Sequence, residues 1–223
     1  MKFIDWGVID YKEAWDKQNE IFTHLINIKN TPAYLENKDQ LQQVIFCEHP
    51  HVYTLGRNGN EGNMLIQKDR LDALGATYYK TDRGGDITYH GYGQIVVYPI
   101  VDLDALGLSL KQYVCNLEEA VIQTLAHYNI KAGRAEGATG VWFDYNTSTA
   151  RKICAIGVRA SRYVTMHGLA FNVSTDLSYY NHINPCGFVD KGVTSLEKEM
   201  GKSVNIEEVK NILKKEIEKL LHT

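Results

Sequence analysis

The chain has 223 residues with 24 basic and 27 acidic side chains, a formal charge of −3, which offers little attraction for nucleic acid or an anionic membrane surface. Its 44% hydrophobic and 23% charged residues are those of an ordinary folded domain, and this length buries roughly 70% of its unfolded surface without staples. Residues 1–15 carry Asp5, Asp10 and Glu13 with no secretory apolar run, and no stretch nears the ~18 apolar residues of a membrane span. A soluble, cytoplasmic protein with one domain over 1–223 is therefore predicted. Four cysteines without a C-x-x-C pair exclude a disulfide scaffold, a zinc ribbon and a redox dithiol.

In chain order, Asp10 and Glu13 have capping-box spacing, and Ala14, Ile21, Phe22, Leu25 and Ile26 follow at helical intervals, predicting a helix from Tyr11 to about Asn30. Strands are predicted at Gln43 to Cys47 and Val52 to Leu55, a short helix at Met64 to Leu74 closed by Gly75, and strands at Thr77 to Lys80 and Ile95 to Ile100. Ser109 and Gln112 open a helix whose stripe of Val114, Leu117, Val121 and Leu125 runs to about Tyr128. Strands at Gly140 to Phe143, Lys152 to Arg159 and Leu169 to Val173 follow, with a surface loop at Asn146 to Thr149. A distinct tail begins near Asn184, and Asn205 with Glu208 opens a last helix with Val209, Leu213, Ile217 and Leu220 inward. The fold class is α/β (α+β), a mixed sheet flanked by helices.

Four glycine-bearing segments stand out: RGGDITYHGYGQ at Arg83 to Gln94, KICAIG at Lys152 to Gly157, HGLAFN at His167 to Asn172, and NPCG at Asn184 to Gly187. Glycines beside strands let a backbone approach a ligand closely, so together they suggest a site lined by main chain. Neither a phosphate loop nor a dinucleotide fingerprint is present, because Gln94 follows Gly93 where a lysine would be needed. Eight histidines include His49 and His51, but none falls in a zinc-binding pattern, so no metal is expected. Cys47, Cys115 and Cys154 sit in predicted strands and a helix as small hydrophobes. Cys186, between Pro185 and Gly187, can present a thiol, and Lys152 is a candidate cation to make its thiolate.

The segments HPHVYTLGR, RGGDITYHGYGQIVVYPI, KICAIGVR, HGLAFNV and INPCG resemble, in order and spacing over most of the chain, the octanoyltransferase family of lipoate biosynthesis. One departure is Tyr92, where that family usually has proline. The resemblance implies the α/β catalytic architecture shared with lipoate and biotin protein ligases. It also implies transfer of an octanoyl group from octanoyl-acyl carrier protein to a lysine of lipoyl domains, those of 2-oxoacid dehydrogenase complexes or the glycine-cleavage H protein. It makes Cys186 the acyl-thioester nucleophile and Lys152 its general acid/base, with His167 as an auxiliary neighbour. Substrate would be bound by Arg83, Gly84, Gly85, Asp86, Ile87, Thr88, Tyr89 and His90, by Ala155, Ile156 and Gly157, and by Gly168, Leu169 and Ala170.

The chemistry implied is balanced without a cofactor. Passing an acyl group from one thioester to another is nearly isoenergetic, and passing it to an amine gives a more stable amide, so no ATP is required. Main-chain N–H groups near Gly168 to Ala170 or around Cys186 are candidate oxyanion donors. Ile87, Tyr89, Ala155 and Leu169 are candidate walls of an acyl tunnel, in which about seven methylene-sized groups give up to ~5 kcal/mol of recognition. Arg57, Arg83, Arg159 and Arg162 would form a basic patch for acidic protein substrates. The alternative within the same architecture is an ATP-dependent lipoate-protein ligase, which would have no need of a nucleophilic Cys186.

Overall fold

The structure, a computed structural model, describes residues 1–185 and 191–221. Its backbone is a mixed sheet in the order β1-β2-β6-β10-β9-β8-β7, with β11 added beside β9. The strands are β1 (Lys2–Val8), β2 (Gln43–Glu48), β6 (Gln94–Ile100), β7 (Gly133–Ala135), β8 (Ala138–Phe143), β9 (Arg151–Ser161), β10 (Val164–Asn172) and β11 (Gly192–Val193). A second sheet of three strands runs β4-β3-β5, formed by Thr77–Lys80, Val52–Leu55 and Ile87–His90.

β1 and β2 are parallel neighbours, so the chain between them must cross over. It does so through α1 (Tyr11–Ile28) and α2 (Pro32–Leu41). Asp10 caps α1 by accepting from the N–H groups of Lys12 and Glu13, as its spacing predicts. α2 was not visible as a periodic stripe because only Tyr34 of its ten residues is buried. Its signal was instead Thr31, which caps it, and Pro32 at its first position.

Alternation along the strands divides the large sheet into two faces. Val44, Phe46, Ile95, Val97, Ile153, Leu169 and Phe171 pack under α4 (Leu110–Ala126) and α6 (Ile206–Leu221) in one core. α4 opens with the predicted Ser109 and Gln112 capping box, and Asn205 caps α6. Ile45, Cys47, Val96, Tyr98, Met166 and Ala170 face α1 and α2 on the other side. The small sheet has its own cluster, including Tyr53, Leu55, Ile87, Tyr89 and Tyr180.

Two expectations change. The helix predicted over Met64 to Leu74 is shorter, α3 at Lys68–Ala73, because Met64 is drawn into a β-bridge with Ile183. The stretch after Asn184 is no separate tail. β11 pairs in parallel with Arg151 and Lys152, while α5 (Leu196–Met200) and α6 place Leu196, Val209 and Leu213 in the main core.

Candidate active site

Where β9 and β10 pair, Ala155 stands opposite Ala170 and Gly157 opposite Gly168. These four positions share the α1-side face, so the sheet there carries two methyl groups where neighbouring positions carry Val96 and Tyr98. Over this floor lies a cavity of about 340 Å³. Its walls come from the loop Arg83 to Asp86 and β5, from Tyr11 of α1, and from the turn at 137–139 before β8. Gly157 is required by close approach, since a Cβ there would stand 2.7 Å from the carbonyl oxygen of Gly84.

Lys152 stands on the same strand at one end of the floor and is buried. Its Nζ donates to the carbonyl of Thr139 at 3.2 Å and sits 4.6 Å from the centroid of the Trp142 ring, a cation–π contact that holds a charge away from water. Room for its stem is made by Gly140. That residue has φ +123°, and a Cβ on it would come within 2.5 Å of the Cys154 carbonyl and 3.4 Å of the lysine's own Cε. Lys152 also borders a second, much smaller cavity together with Thr88, Trp142, Tyr180, Pro185, Lys191 and Val193. The backbone closes the same contact, with Val193 in register with Lys152 and Thr194 N–H donating to the Lys152 carbonyl.

The loop Asp82 to Asp86 joins the two sheets. Arg83 is buried and donates to the Thr54 hydroxyl and to the carbonyls of Thr54, Gly84 and Asp86. Gly84 N–H donates to the Val158 carbonyl on β9. The Asp86 carboxylate accepts from Asn60 N–H, Ile87 N–H and the Asn63 amide. Arg83 and Asp86 thus border the cavity as structural ties.

His167 departs from its strand. Alternation would put it with Leu169 and Phe171 under α4, but its φ of +59° turns the ring to the α1 side, a backbone choice worth about 1–3 kcal/mol of strain for a non-glycine residue. There Nε2 lies 2.8 Å from the Asp82 carboxylate, and the backbone N–H donates to the Gln18 side chain at 3.0 Å. Burial holds the His167 pKa below its ordinary value, with Asp82 opposing. Burial alone would raise Asp82, but its hydrogen bond with His167 and the nearby charge of Arg159 bring it below the ordinary carboxylate range. A neutral ring beside an ionised carboxylate carries its proton on Nε2, so Nδ1 is a bare acceptor. Arg159 completes the group by pairing with Asp82 and lying over the Phe22 ring.

The cavity brings together most of the predicted substrate-binding residues: Arg83, Gly85, Asp86, Ile87, Thr88, His90, Ala155, Ile156, Gly157, Gly168, Leu169 and Ala170, with Lys152 and His167. Gly84 and Tyr89 are not among its lining. Gly84 is packed on Gly157, and Tyr89 points into the small sheet's aromatic cluster, bonded to His51 at 2.7 Å and stacked on Tyr179. His167 and Lys152 are not neighbours. His167 is in register with Val158, six residues from Lys152 along β9 and hence about 20 Å by strand rise.

Of the oxyanion donors expected near Gly168 to Ala170 or around Cys186, Leu169 and Ala170 are paired on both sides, to β6 and β9, so their N–H groups serve the ladder. The basic patch also dissolves: Arg83 is buried and Arg159 paired, leaving Arg57 and Arg162 exposed. Cys186 lies outside the described residues. The buried thiols of Cys47 and Cys154 are pushed up by burial, as suits structural cysteines.

Sequence reasoning missed Trp142, Tyr11, Tyr98 and the turn 137–139. Gly137 and Gly140 were the available signal for the last. Among the described residues no cluster of His, Cys, Asp or Glu could hold a metal, and no helix is long and apolar enough to cross a membrane.

Comparison with known proteins sorts these observations. The chain resembles an octanoyltransferase of Bacteroides fragilis, 58% identical over 213 residues covering 96% of this chain and 94% of that protein. An octanoyltransferase of Flavobacterium psychrophilum is 52% identical over 218 residues, covering 97% and 94%. Among solved structures, a lipoate-protein ligase A bound with ATP superposes with a TM-score of 0.69 at 16% identity, covering 99% of this chain and 85% of that one. A bipartite lipoate protein ligase of Thermoplasma acidophilum, studied with its E2 lipoyl domain, gives 0.67 at 16%, covering 99% and 83%. These two show a shared fold. Residues 10–218 match the family described as the lipoyl protein ligase A/B catalytic domain, and with the near full-length relatives this places the chain in the octanoyltransferase family, as an acyltransferase.

Proposed function

We propose that the protein moves an octanoyl group from octanoyl-acyl carrier protein, through a thioester on Cys186, to a lysine of lipoyl domains. The observation that carries this reading is the position of Lys152. It borders both the 340 Å³ cavity over the Ala and Gly floor and the small cavity shared with Pro185 and Lys191, the residues that bracket 186–190. In the first step the Cys186 thiolate attacks the donor carbonyl, the carbon–sulfur bond to the carrier breaks, and Lys152 gives its proton to the departing thiol. In the second, the acceptor lysine's amine attacks the acyl-enzyme, Lys152 takes the amine proton, and Cys186 leaves as thiolate. Lipoyl domains of 2-oxoacid dehydrogenases and the glycine-cleavage H protein are the acceptors this reading names. The lipoyl domain studied with the T. acidophilum ligase supports that class.

Intact mass after mixing with octanoyl-acyl carrier protein should rise by one octanoyl group, without ATP or Mg²⁺, and fall back when a lipoyl domain is added. Cys186→Ala should show no adduct and no transfer. Transfer by that variant would overturn the covalent route, and product from free octanoate with ATP would favour an adenylating ligase instead.

A further inference from the structure

Glu118 lies on α4, on the side of the sheet that is otherwise packed with apolar side chains, and it is buried there. Its Oε1 accepts from the N–H of Gly140 at 2.9 Å, and its Oε2 stands 3.2 Å from Nε of Arg134. The carbonyl of the same peptide unit, that of Thr139, accepts from Lys152 Nζ. A trans peptide points its N–H and C=O in opposite directions, so the two side chains reach the Thr139–Gly140 amide from opposite ends. One amide thus joins a buried acid to the amine at the end of the cavity floor.

The sheet does not hold that amide in place. Among the described residues, Thr139 and Gly140 have no register partner in β7 or β9, because β8 shifts register against both neighbours at this point. Such a break in pairing is a way of re-aiming backbone and side chains beside a site. Here the orientation is left to Glu118, and the carboxylate is steadied in turn by Arg134, which also bonds Glu119 and the Cys115 carbonyl. A hydrogen bond accepted from the N–H end polarises an amide and makes its carbonyl the better acceptor.

We propose that Glu118 is a positioning residue for Lys152: through the Thr139–Gly140 amide it fixes where the lysine presents its amine. This rests on the proposed acyl transfer and adds to it a group that does not border the cavity.

Steady-state transfer from octanoyl-acyl carrier protein to a lipoyl domain, beside thermal unfolding, tests the assignment. Glu118→Leu removes the acceptor and should lower kcat about 10- to 100-fold, the effect of misplacing a reacting group by about 1 Å, with KM held within about twofold. Glu118→Gln keeps an oxygen for the Gly140 N–H and should retain kcat within about threefold of the wild type. A residue that only supports the fold would lower the melting temperature and leave kcat per folded molecule unchanged. That result in Glu118→Leu would overturn the proposal, as would an effect confined to KM or a loss in Glu118→Gln as large as in Glu118→Leu. If Glu118→Leu does not fold, Glu118→Asp takes its place, keeping the charge but drawing the carboxylate back by one methylene. A kcat about tenfold below the wild type is then expected, and full activity would overturn the assignment.

If the wild-type protein transferred no acyl group from the carrier, the proposed function would fall, and the positioning of Lys152 would be read without it. Acetic anhydride labelling of Lys152, followed by peptide mass, should run about fivefold faster in Glu118→Leu, or in Glu118→Asp in its place, because Nζ no longer faces a fixed Thr139 oxygen. Glu118→Gln should label at the wild-type rate. Equal labelling in the wild type and the shortened or apolar variant would overturn the proposal.

Discussion

The two faces of the large sheet are made by the same strands and do opposite work. Under α4 and α6, Ile95 and Val97 of β6, Ile153 of β9, and Leu169 and Phe171 of β10 are branched or aromatic side chains in one core with Leu117, Val121, Leu213 and Ile217. On the other face β9 and β10 place Ala155, Gly157, Gly168 and Ala170 in two cross-strand pairs, and the buried polar groups Lys152, Arg83, His90 and His167 gather above them. One face is closed by apolar contact, which is non-directional. The other has its own apolar cluster beside α1 and α2, but around the cavity it is held by specified hydrogen bonds, each of which needs a particular partner. Stability and chemistry are thus separated across one sheet thickness, and substitutions on the two faces should have separable effects.

The largest effect belongs to the cavity face. Lys152→Ala should lower acyl transfer by about 10²- to 10⁴-fold, the range of a lost general acid/base, while leaving the melting transition near that of the wild type. Steady-state transfer beside thermal unfolding checks this, and a variant that instead unfolded early would mean that Lys152 is part of the support. The converse is Leu213→Ala on the helical face. A fully buried leucine truncated there should cost about 2–5 kcal/mol, read by denaturant unfolding, with activity per folded molecule unchanged.

A smaller effect sits where the faces meet. Glu199 accepts two of the Arg151 guanidinium bonds, at 2.7 and 2.6 Å, and one from Thr194. The Arg151 bond holds its carboxyl below the ordinary value against an opposing burial effect, with Thr194 helping. Because the folded-state value is the lower one, the stabilisation is present above the ordinary glutamate value of about 4.3 and is lost as pH falls through the depressed value. Glu199→Gln should cost about 1 kcal/mol near pH 7, and the difference from wild type should shrink in unfolding curves below about pH 4.

The smallest concerns Tyr92. Residues 91–94 form a turn closed by Gln94 N–H on the Gly91 carbonyl, with Gly93 at φ +76°, the pattern that accepts proline at its second position. Tyr92 is half exposed, with its ring edge-on to His51 at 5.2 Å. Tyr92→Pro should change stability by no more than about 0.5–1 kcal/mol, in the stabilising direction, and leave transfer intact.

Much of this was legible in the sequence for identifiable reasons. Asp10, Ser109 and Asn205 marked helix starts because capping is a local hydrogen bond. The glycines of KICAIG and HGLAFN marked the floor because close approach demands them. Other features depend on contacts that periodicity does not encode. β5 was read as part of a glycine loop because Ile87 to His90 becomes a strand only by pairing with β3. Arg83 was assigned to a surface patch, since nothing local reveals that Thr54, far along the chain, supplies its acceptors. The ring of His167 crosses the sheet through a single dihedral, and a strand pattern cannot report a dihedral. The pairing of Lys152 with Trp142 was equally hidden, although both lie in predicted strands.

The Ala and Gly floor has a further consequence for how the protein ages and varies. Elsewhere in the sheet a larger apolar side chain adds cohesion. At Ala155 and Ala170 it would do so by occupying the room the acyl group is proposed to use, so selection for robustness and selection for turnover pull these two positions apart. An octanoyl chain lying there contributes, for the lifetime of one intermediate, apolar contact that those strand positions do not themselves supply. On the proposed reading the substrate would be a transient piece of the hydrophobic core, and acylation should raise the melting temperature.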